Sequence, residues 1–352
     1  MTNVQTIGIL GGGQLGRMLS VAASRLGLKT HIYEPSANPP AGHVADAVTT
    51  ASYDDAAALQ AFAASVDVIT FEFENIPTSA LDLLESIRPI HPPRGALATS
   101  QDRLTEKTFL QCLGLQTAPF ADVQNAEDLA KAIAEIGTPA ILKTRTMGYD
   151  GKGQAQIMSP ADADAALADM AGASAILEGF VNFSHEVSVI GARSADGAVS
   201  CFDPGENVHV NGILRTTTVP AKLTPSQRTD AVLIAARILN ALDYVGVMGL
   251  ELFVTPQGLI VNEIAPRVHN SGHWTQNGCT IDQFEQHIRA VAGWPLGDGS
   301  RHSDVVMENL IGDDMDKLAD LAKTNAAIHL YGKSEVKAGR KMGHVNYIKK
   351  GA

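Results

Sequence analysis

The sequence predicts an α/β and α+β protein of several modules, and three stretches carry that prediction. Residues 5–10 form an apolar strand running into Gly11-Gly12-Gly13-Gln14-Leu15-Gly16, then a helix and a second strand, the βαβ opening of a doubly wound domain. The apolar run Ala140-Ile141-Leu142 leads into a loop with glycine at 148, 151 and 153. Two apolar runs flank the turn Thr255-Pro256-Gln257-Gly258 and read as a long β-hairpin. A length of 352 residues accommodates two or three domains at about 100–200 residues each.

Composition narrows the class. A hydrophobic content of 45% provides a sizeable core. A formal net charge of −11 argues against nucleic acid or an anionic membrane as the main partner, and leaves an anionic substrate only a locally basic pocket. Cys112, Cys201 and Cys279 are few and widely spaced, without a metal-ligand pattern, and read as reduced thiols. No apolar run approaches the ~20 residues of a membrane helix, and no leader pattern opens the sequence. A soluble, cytoplasmic protein is expected.

In the first module, Gly11, Gly13 and Gly16 match G-x-G-x-x-G, with Glu34 about where a dinucleotide site carries its ribose-binding carboxylate. The same helix N-terminus serves any phosphate, so a nicotinamide or flavin enzyme is only one reading. Helices near residues 54–64 and 78–87 and a strand at 66–71 complete the module before Pro92-Pro93. Glu72 and Glu74 follow that strand at its carboxyl end, where open α/β sheets bind ligands. One of the two is expected to face the cleft; an acidic helix-capping cluster is the alternative. Ser100 is expected to cap a helix carrying Arg103 and Lys107, whose i,i+4 like charges suit a face meeting an anion, or a solvated one.

Pro119 breaks the chain into the second module. A helix at 125–136 and the Lys143 strand precede K-T-R-T-M-G-Y-D-G-K-G-Q. Glycine at this density lets backbone amides turn toward a ligand, and Lys143, Arg145 and Lys152 supply charge for a polyphosphate. The spacing is not that of a Walker A loop, and a plain glycine-rich hairpin turn is the competing reading. Strands at 175–181 and 185–190 follow. Backbone near Glu178 and Val181 suits an adenine edge, and the Glu186 carboxylate suits ribose hydroxyls.

In the third module, a hairpin centred on Gln257 sets Glu251 opposite Glu263, each six residues from the centre. Like charges at facing positions are destabilising, so the pair asks for a cation, and oxygen donors without Cys or His point to Mg²⁺. A register one residue different would separate them. Asn262 adjoins this site and Arg267 follows it. The loop H-N-S-G-H-W-T beyond it is polar enough to expect substrate contact rather than packing, although His269 or His273 could equally be structural. Lys333, Lys337, Arg340 and Lys341 form a basic cluster suited to a phosphate group.

Together, K-T-R-T-M-G-Y-D-G-K-G-Q, the paired-glutamate hairpin and H-N-S-G-H-W-T resemble the ATP-grasp superfamily, and within it the 5-(carboxyamino)imidazole ribonucleotide synthase family of purine biosynthesis. G-G-G-Q-L-G-R-M, F-E-F-E-N, Q-D-R-L-T-E-K and G-R-K-M-G-H fit the same family in the same order, across essentially the whole chain. The resemblance implies a Rossmann-like N-terminal domain not used for NAD (residues 1–99). It implies a small central ATP-binding subdomain with a glycine-rich lid (100–182) and a C-terminal α+β subdomain with the metal site (183–352). ATP would be held by Arg103, Lys143, Gly148, Tyr149, Asp150, Gly151, Lys152, Gly153, Gln154, Glu178, Gly179, Phe180, Val181, Glu186, His209, Asn262 and Glu263. Glu251 and Glu263 would bind Mg²⁺. Asp150, Lys152, Arg267 and Lys341 would be catalytic. Gln14, Glu72, Glu74, Tyr149, His269, Asn270, Ser271, His273, Arg340 and Lys341 would contact the ribonucleotide.

The implied reaction joins aminoimidazole ribonucleotide, bicarbonate and ATP through carboxyphosphate, giving the carboxyamino product, ADP and phosphate. The family further implies a homodimer with only small-molecule substrates as other partners. Ala265 stands where many ATP-grasp enzymes carry an asparagine two residues after the second glutamate, leaving a third metal ligand open. Val268 replaces a proline of the family's run. The nearest rival is a formate-using glycinamide ribonucleotide transformylase. A nicotinamide oxidoreductase would leave the glutamate hairpin unexplained, and a non-catalytic nucleotide-binding regulator would leave it idle.

Overall fold

The computed structural model describes residues 4–148 and 152–349. Tyr149, Asp150 and Gly151 of the glycine loop lie outside the described residues. Within them, β1 (Thr6–Leu10), β2 (Lys29–Tyr33), β3 (Ala47–Thr49) and β4 (Val68–Phe71) make a parallel sheet in the order β3-β2-β1-β4. Its central strands bury Ile7, Ile9, Leu10, Val68, Ile69 and Phe71, the near-continuous apolar pattern of strands covered on both faces. The helix Gln14–Arg25 buries Met18, Leu19, Ala22 and Ala23 on one stripe. The carboxyl ends of β1 and β4 share one edge, so the first glycine loop and Glu72 emerge side by side.

The second sheet is antiparallel, with β5 (Phe120–Val123), β6 (Ala140–Thr144), β7 (Gln154–Ile157) and β8 (Ala175–Gly179) in the order β5-β8-β6-β7. The third contains β9 (His185–Arg193), β10 (Val199–Cys201), β11 (Gly205–Val210), β12 (Ile213–Val219), β13 (Gly246–Thr255), β14 (Gly258–Ala265), β15 (Asp304–Ile311), β16 (Ala327–Leu330) and β17 (Lys341–Lys349). Its order is β14-β13-β9-β11-β12-β15-β17-β16, with β10 beside β9. The helix Pro225–Ala241 starts with proline after a Thr224–Gln227 capping box and buries Ala231, Ala235, Ile238 and Leu239.

The cores are unequally shared. Ile7, Met18 and Leu19 of the first module pack in one cluster with Phe202, Trp274 and Phe284 of the third. His287 stitches the same boundary: its Nδ1 accepts from the Val247 amide at 3.0 Å, and its Nε2 lies 2.8 Å from Thr70 Oγ1. The second sheet keeps a cluster of its own, Val123 to Leu177. Each fully buried side chain of this size contributes about 1.5–3 kcal/mol.

One helix start differs from expectation. Ser100 lies inside the helix Arg94–Gln101, and Asp102 caps the next helix, Arg103–Cys112, by accepting from the Leu104 and Thr105 amides at 3.0 Å. Asp102 is extended (φ −124°, ψ 116°), the cap geometry that Ser100 lacks. No helix among the described residues is long and apolar enough to cross a membrane.

Candidate active site

A cavity of about 640 Å³ is lined by side chains from all three sheets and their loops, including Gln14, Glu74, Arg103, Lys143, Glu251 and Lys341. Its floor is the β13–β14 hairpin. At the tip, Thr255 pairs with Gly258 and Leu252 with Val261, a two-residue turn rather than one centred on Gln257. A bulge then shifts the register, and Glu251 faces Glu263. The expected pairing is present for an unexpected reason: the tip runs in the register that would separate the glutamates, and one extra residue, Asn262, restores them.

The two carboxylates differ in charge preference. Burial, and then the neighbouring Glu263, push Glu251 up to about 7. Burial would raise Glu263 as well, but the Arg103 guanidinium, with Nη1 3.0 Å from Oε2, holds it below the ordinary value. Lys143 donates to Glu178 Oε2 at 2.9 Å, and Lys107 approaches the same oxygen at 3.4 Å. Glu178 is buried and does not line the cavity; burial opposes its charge, but the two lysines hold its carboxyl low.

Lys143 also pairs with Gln154 across β6 and β7, so the second glycine loop is a hairpin connection. Gly148, Lys152 and Gln154 of this hairpin connection line the cavity. Arg145, expected as a phosphate cation, is engaged by Asp102 at 2.7 Å and Asp122 at 3.2 Å. Gly153, Gly179, Phe180 and Val181 do not line the cavity, and the Phe180 side chain is exposed.

At the other side, His209 Nδ1 lies 2.7 Å from Glu186 Oε2. Burial alone would lower His209, yet this contact and the nearby Glu251 raise it overall. His269 Nε2 is 3.6 Å from Glu251 Oε1, and Arg267 Nη2 is 3.0 Å from Glu74 Oε1. Glu72 and Glu74 have separate uses. Glu72 accepts from the Gly13 amide and, at 2.6 Å, from the Gly16 amide, filling the first glycine loop with a carboxylate of the same chain. Glu34 accepts from the Gly12 amide at 2.9 Å. That loop's anion seat is therefore taken internally, which removes the basis for the dinucleotide reading.

Two expectations need correction. The loop after Val268 is mostly packing: Ser271, His273, Trp274 and Thr275 are buried, and of its polar residues only His269 and Asn270 line the cavity. Ser271 Oγ sits 2.8 Å from His269 Nδ1, and Gln283 Nε2 sits 3.0 Å from His273 Nδ1, so these polar groups face partners within the protein, while the buried His273 Nε2 has none among the described residues. The C-terminal basic cluster also fails to converge. Lys337 pairs with Glu335, Arg340 donates to the Glu335 carbonyl, and of the four only Lys341 lines the cavity. Conversely, Glu106, which the sequence does not mark, is buried at the site beside Lys107, and the i,i+4 spacing of Arg103 and Lys107 is the signal that points to this face.

A divalent cation fits the glutamate pair. Two oxygen donors face each other with one carboxyl pushed to about 7 by burial and by the other's charge, an arrangement that a bound cation would relieve.

Residues 4–101 match the model of the ribonucleotide synthetase preATP-grasp domain, residues 108–284 that of the ATP-grasp domain, and residues 305–352 that of the phosphoribosylaminoimidazole carboxylase C-terminal domain. The chain is 56% identical to the N5-carboxyaminoimidazole ribonucleotide synthase of Brucella melitensis biotype 1, covering 98% of this chain and 96% of that one. It superposes on an N5-carboxyaminoimidazole ribonucleotide synthetase solved with ADP at a TM-score of 0.96, with 44% identity over 99% of this chain and 93% of that chain. The Aspergillus clavatus synthase, solved with ADP and 5-aminoimidazole ribonucleotide, gives a TM-score of 0.92 with 32% identity, covering 99% and 95%. With these matches running from one end to the other, the chain belongs to the N5-carboxyaminoimidazole ribonucleotide synthase family of ATP-grasp ligases.

Proposed function

We propose that this chain is an ATP-dependent ligase that carboxylates 5-aminoimidazole ribonucleotide with bicarbonate, releasing ADP and phosphate, in purine biosynthesis. The observation that supports this best is a single cavity joining the Glu251–Glu263 pair, with Arg103 and Lys143 beside it, to a second cationic group around Arg267 and Lys341.

A bicarbonate oxygen attacks the γ-phosphorus of ATP, and Arg103, Lys143 and the amides around Gly148 balance charge on the transferring oxygens. Mg²⁺, when held by Glu251 and Glu263, would neutralise phosphate charge. Carboxyphosphate is labile, so residues 148–154 act as a lid that excludes water. The exocyclic amine of the ribonucleotide takes the carboxyl carbon, phosphate leaves, and Asp150 receives the amine proton. Lys152, Arg267, His269 and Lys341 orient the carboxylate and the ribonucleotide phosphate, while Gln14 and Glu74 hold the other end of the substrate. Glu186 and His209 take the ATP ribose, and the Phe180–Val181 backbone takes the adenine edge.

The modules are read as residues 1–99, 100–182 and 183–352, in a cytoplasmic homodimer whose mass light scattering would check. The deciding experiment is ADP release from Mg²⁺-ATP with aminoimidazole ribonucleotide and bicarbonate each added or omitted. Strong stimulation by the ribonucleotide, with bicarbonate required for carboxylated product, is expected. Stimulation by formate and glycinamide ribonucleotide instead would reassign the substrate.

A further inference from the structure

The bulge that brings Glu263 opposite Glu251 needs a physical cause. Continued one step from Leu252–Val261, a regular ladder would set Glu251 against Asn262 and turn Glu263 to the other face. A bulge also leaves backbone groups without ladder partners. Here three consecutive residues of the bulge are met by three residues of one helix. Lys107 Nζ donates to the Asn262 carbonyl at 2.9 Å, Arg103 Nη1 donates to Glu263 Oε2 at 3.0 Å, and the Ile264 amide donates to Glu106 Oε1 at 2.6 Å.

Positions 103, 106 and 107 share one face of the helix Arg103–Cys112, at i, i+3 and i+4. Glu106 is 2% exposed and Lys107 1% exposed. Burying ionisable groups is costly unless their polar atoms find partners, and the bulge backbone supplies one to each. Lys107 also reaches Glu178, which ties the hairpin to β8.

We infer that Glu106 and Lys107 are positioning residues that hold the Asn262 bulge in place and so keep Glu251 and Glu263 on one face. They act through the backbone of β14, from a helix whose Glu106 also borders the cavity. The inference rests on reading Glu251 and Glu263 as divalent-cation ligands.

The test uses the full chain with ADP and Mn²⁺ as the probe, with free Mn²⁺ followed by electron paramagnetic resonance. Glu106→Ala is expected to weaken Mn²⁺ binding about tenfold or more, the scale seen when groups supporting metal ligands are removed. Glu106→Gln, whose amide oxygen still accepts from the Ile264 amide, is expected to recover most of that loss. Lys107→Met is expected to weaken Mn²⁺ binding in the same direction, and ADP affinity without divalent ion is expected to hold in all three. Wild-type Mn²⁺ affinity in Glu106→Ala or in Lys107→Met would overturn the inference, as would Glu106→Gln binding no better than Glu106→Ala. Should Glu106→Ala fail to fold by circular dichroism, Lys107→Met decides by the same criterion. Glu263→Gln is measured alongside. If it binds Mn²⁺ normally, the ligand reading itself fails; if it loses Mn²⁺ while the helix variants keep it, only the positioning inference fails.

Discussion

The two glycine-rich loops read almost alike in sequence and do opposite things in the fold. The loop at residues 11–16 turns its Gly12, Gly13 and Gly16 amides onto Glu72 and Glu34, carboxylates of its own module, so it borders the cavity through Gln14 with those amides already occupied. The loop around Gly148 spans the β6–β7 hairpin and lines an open cavity with Lys143 and Lys152. Glycine density reports that amides can point outward. What fills the space in front of them decides whether the loop binds or merely folds.

Breaking the open loop should cost function first. Lys143→Met is expected to lower kcat by about 10²–10³-fold, the scale for losing one preorganised charge partner of a transition state. Steady-state ADP release would show it, and a loss below threefold would detach Lys143 from the chemistry. The closed loop should answer in stability. Glu72→Ala removes both acceptor oxygens from a helix N-terminus and is expected to cost about 2–3 kcal/mol in urea unfolding. An unchanged midpoint would mean that the carboxylate is not what closes the loop. Gly16→Ala is expected to cost about 1–3 kcal/mol, because its Cβ would sit 2.9 Å from the Gly11 carbonyl oxygen, a backbone atom that cannot move aside. NADH titration of the unmodified chain should show no saturable binding, and saturation would reopen the first loop.

A pH-dependent effect concerns Glu251, which unlike Glu72 has a carboxylate instead of amides beside it. Its folded-state pKa is raised to about 7 from 4.5, so its contribution to stability is present below pH 4.5 and lost as pH rises through about 7. Without divalent ions, Glu251→Gln should therefore match the unmodified chain near pH 4.5 and become the more stable of the two by pH 8. Urea unfolding across that range checks it; a gap that narrows with pH would contradict the sign.

The site was partly legible because charge pairing obeys simple counting. Glu251 and Glu263 stood out as two carboxylates in apolar strands, and their facing was expected. The bulge that produces the facing was not visible, because nothing local distinguishes Asn262 from its neighbours; its cause is a helix some 155 residues earlier in the chain. Glu106 is hidden for the same reason, since charged residues on an amphipathic helix default to solvent, whereas the Arg103–Lys107 pair is legible as a face that meets an anion. His273 and Ser271 misled in the other direction. Polar residues in a loop suggest contact with ligand, whereas here Gln283 and His269 supply their partners from within the protein.

The separate core of the second sheet has a mechanical consequence. Apolar packing fuses the first and third modules, and the helix Arg103–Cys112 joins the third through Leu110. The polar contacts that cross to the central sheet include Arg145 to Asp102, Lys107 to Glu178 and the Arg103 amide to the Arg145 carbonyl at 2.9 Å. A polar seam can part and re-form in water at little cost, whereas an oily one cannot. The molecule thus has one large body with a continuous apolar core and a small sheet, joined to it by these polar contacts, that carries the β6–β7 connection.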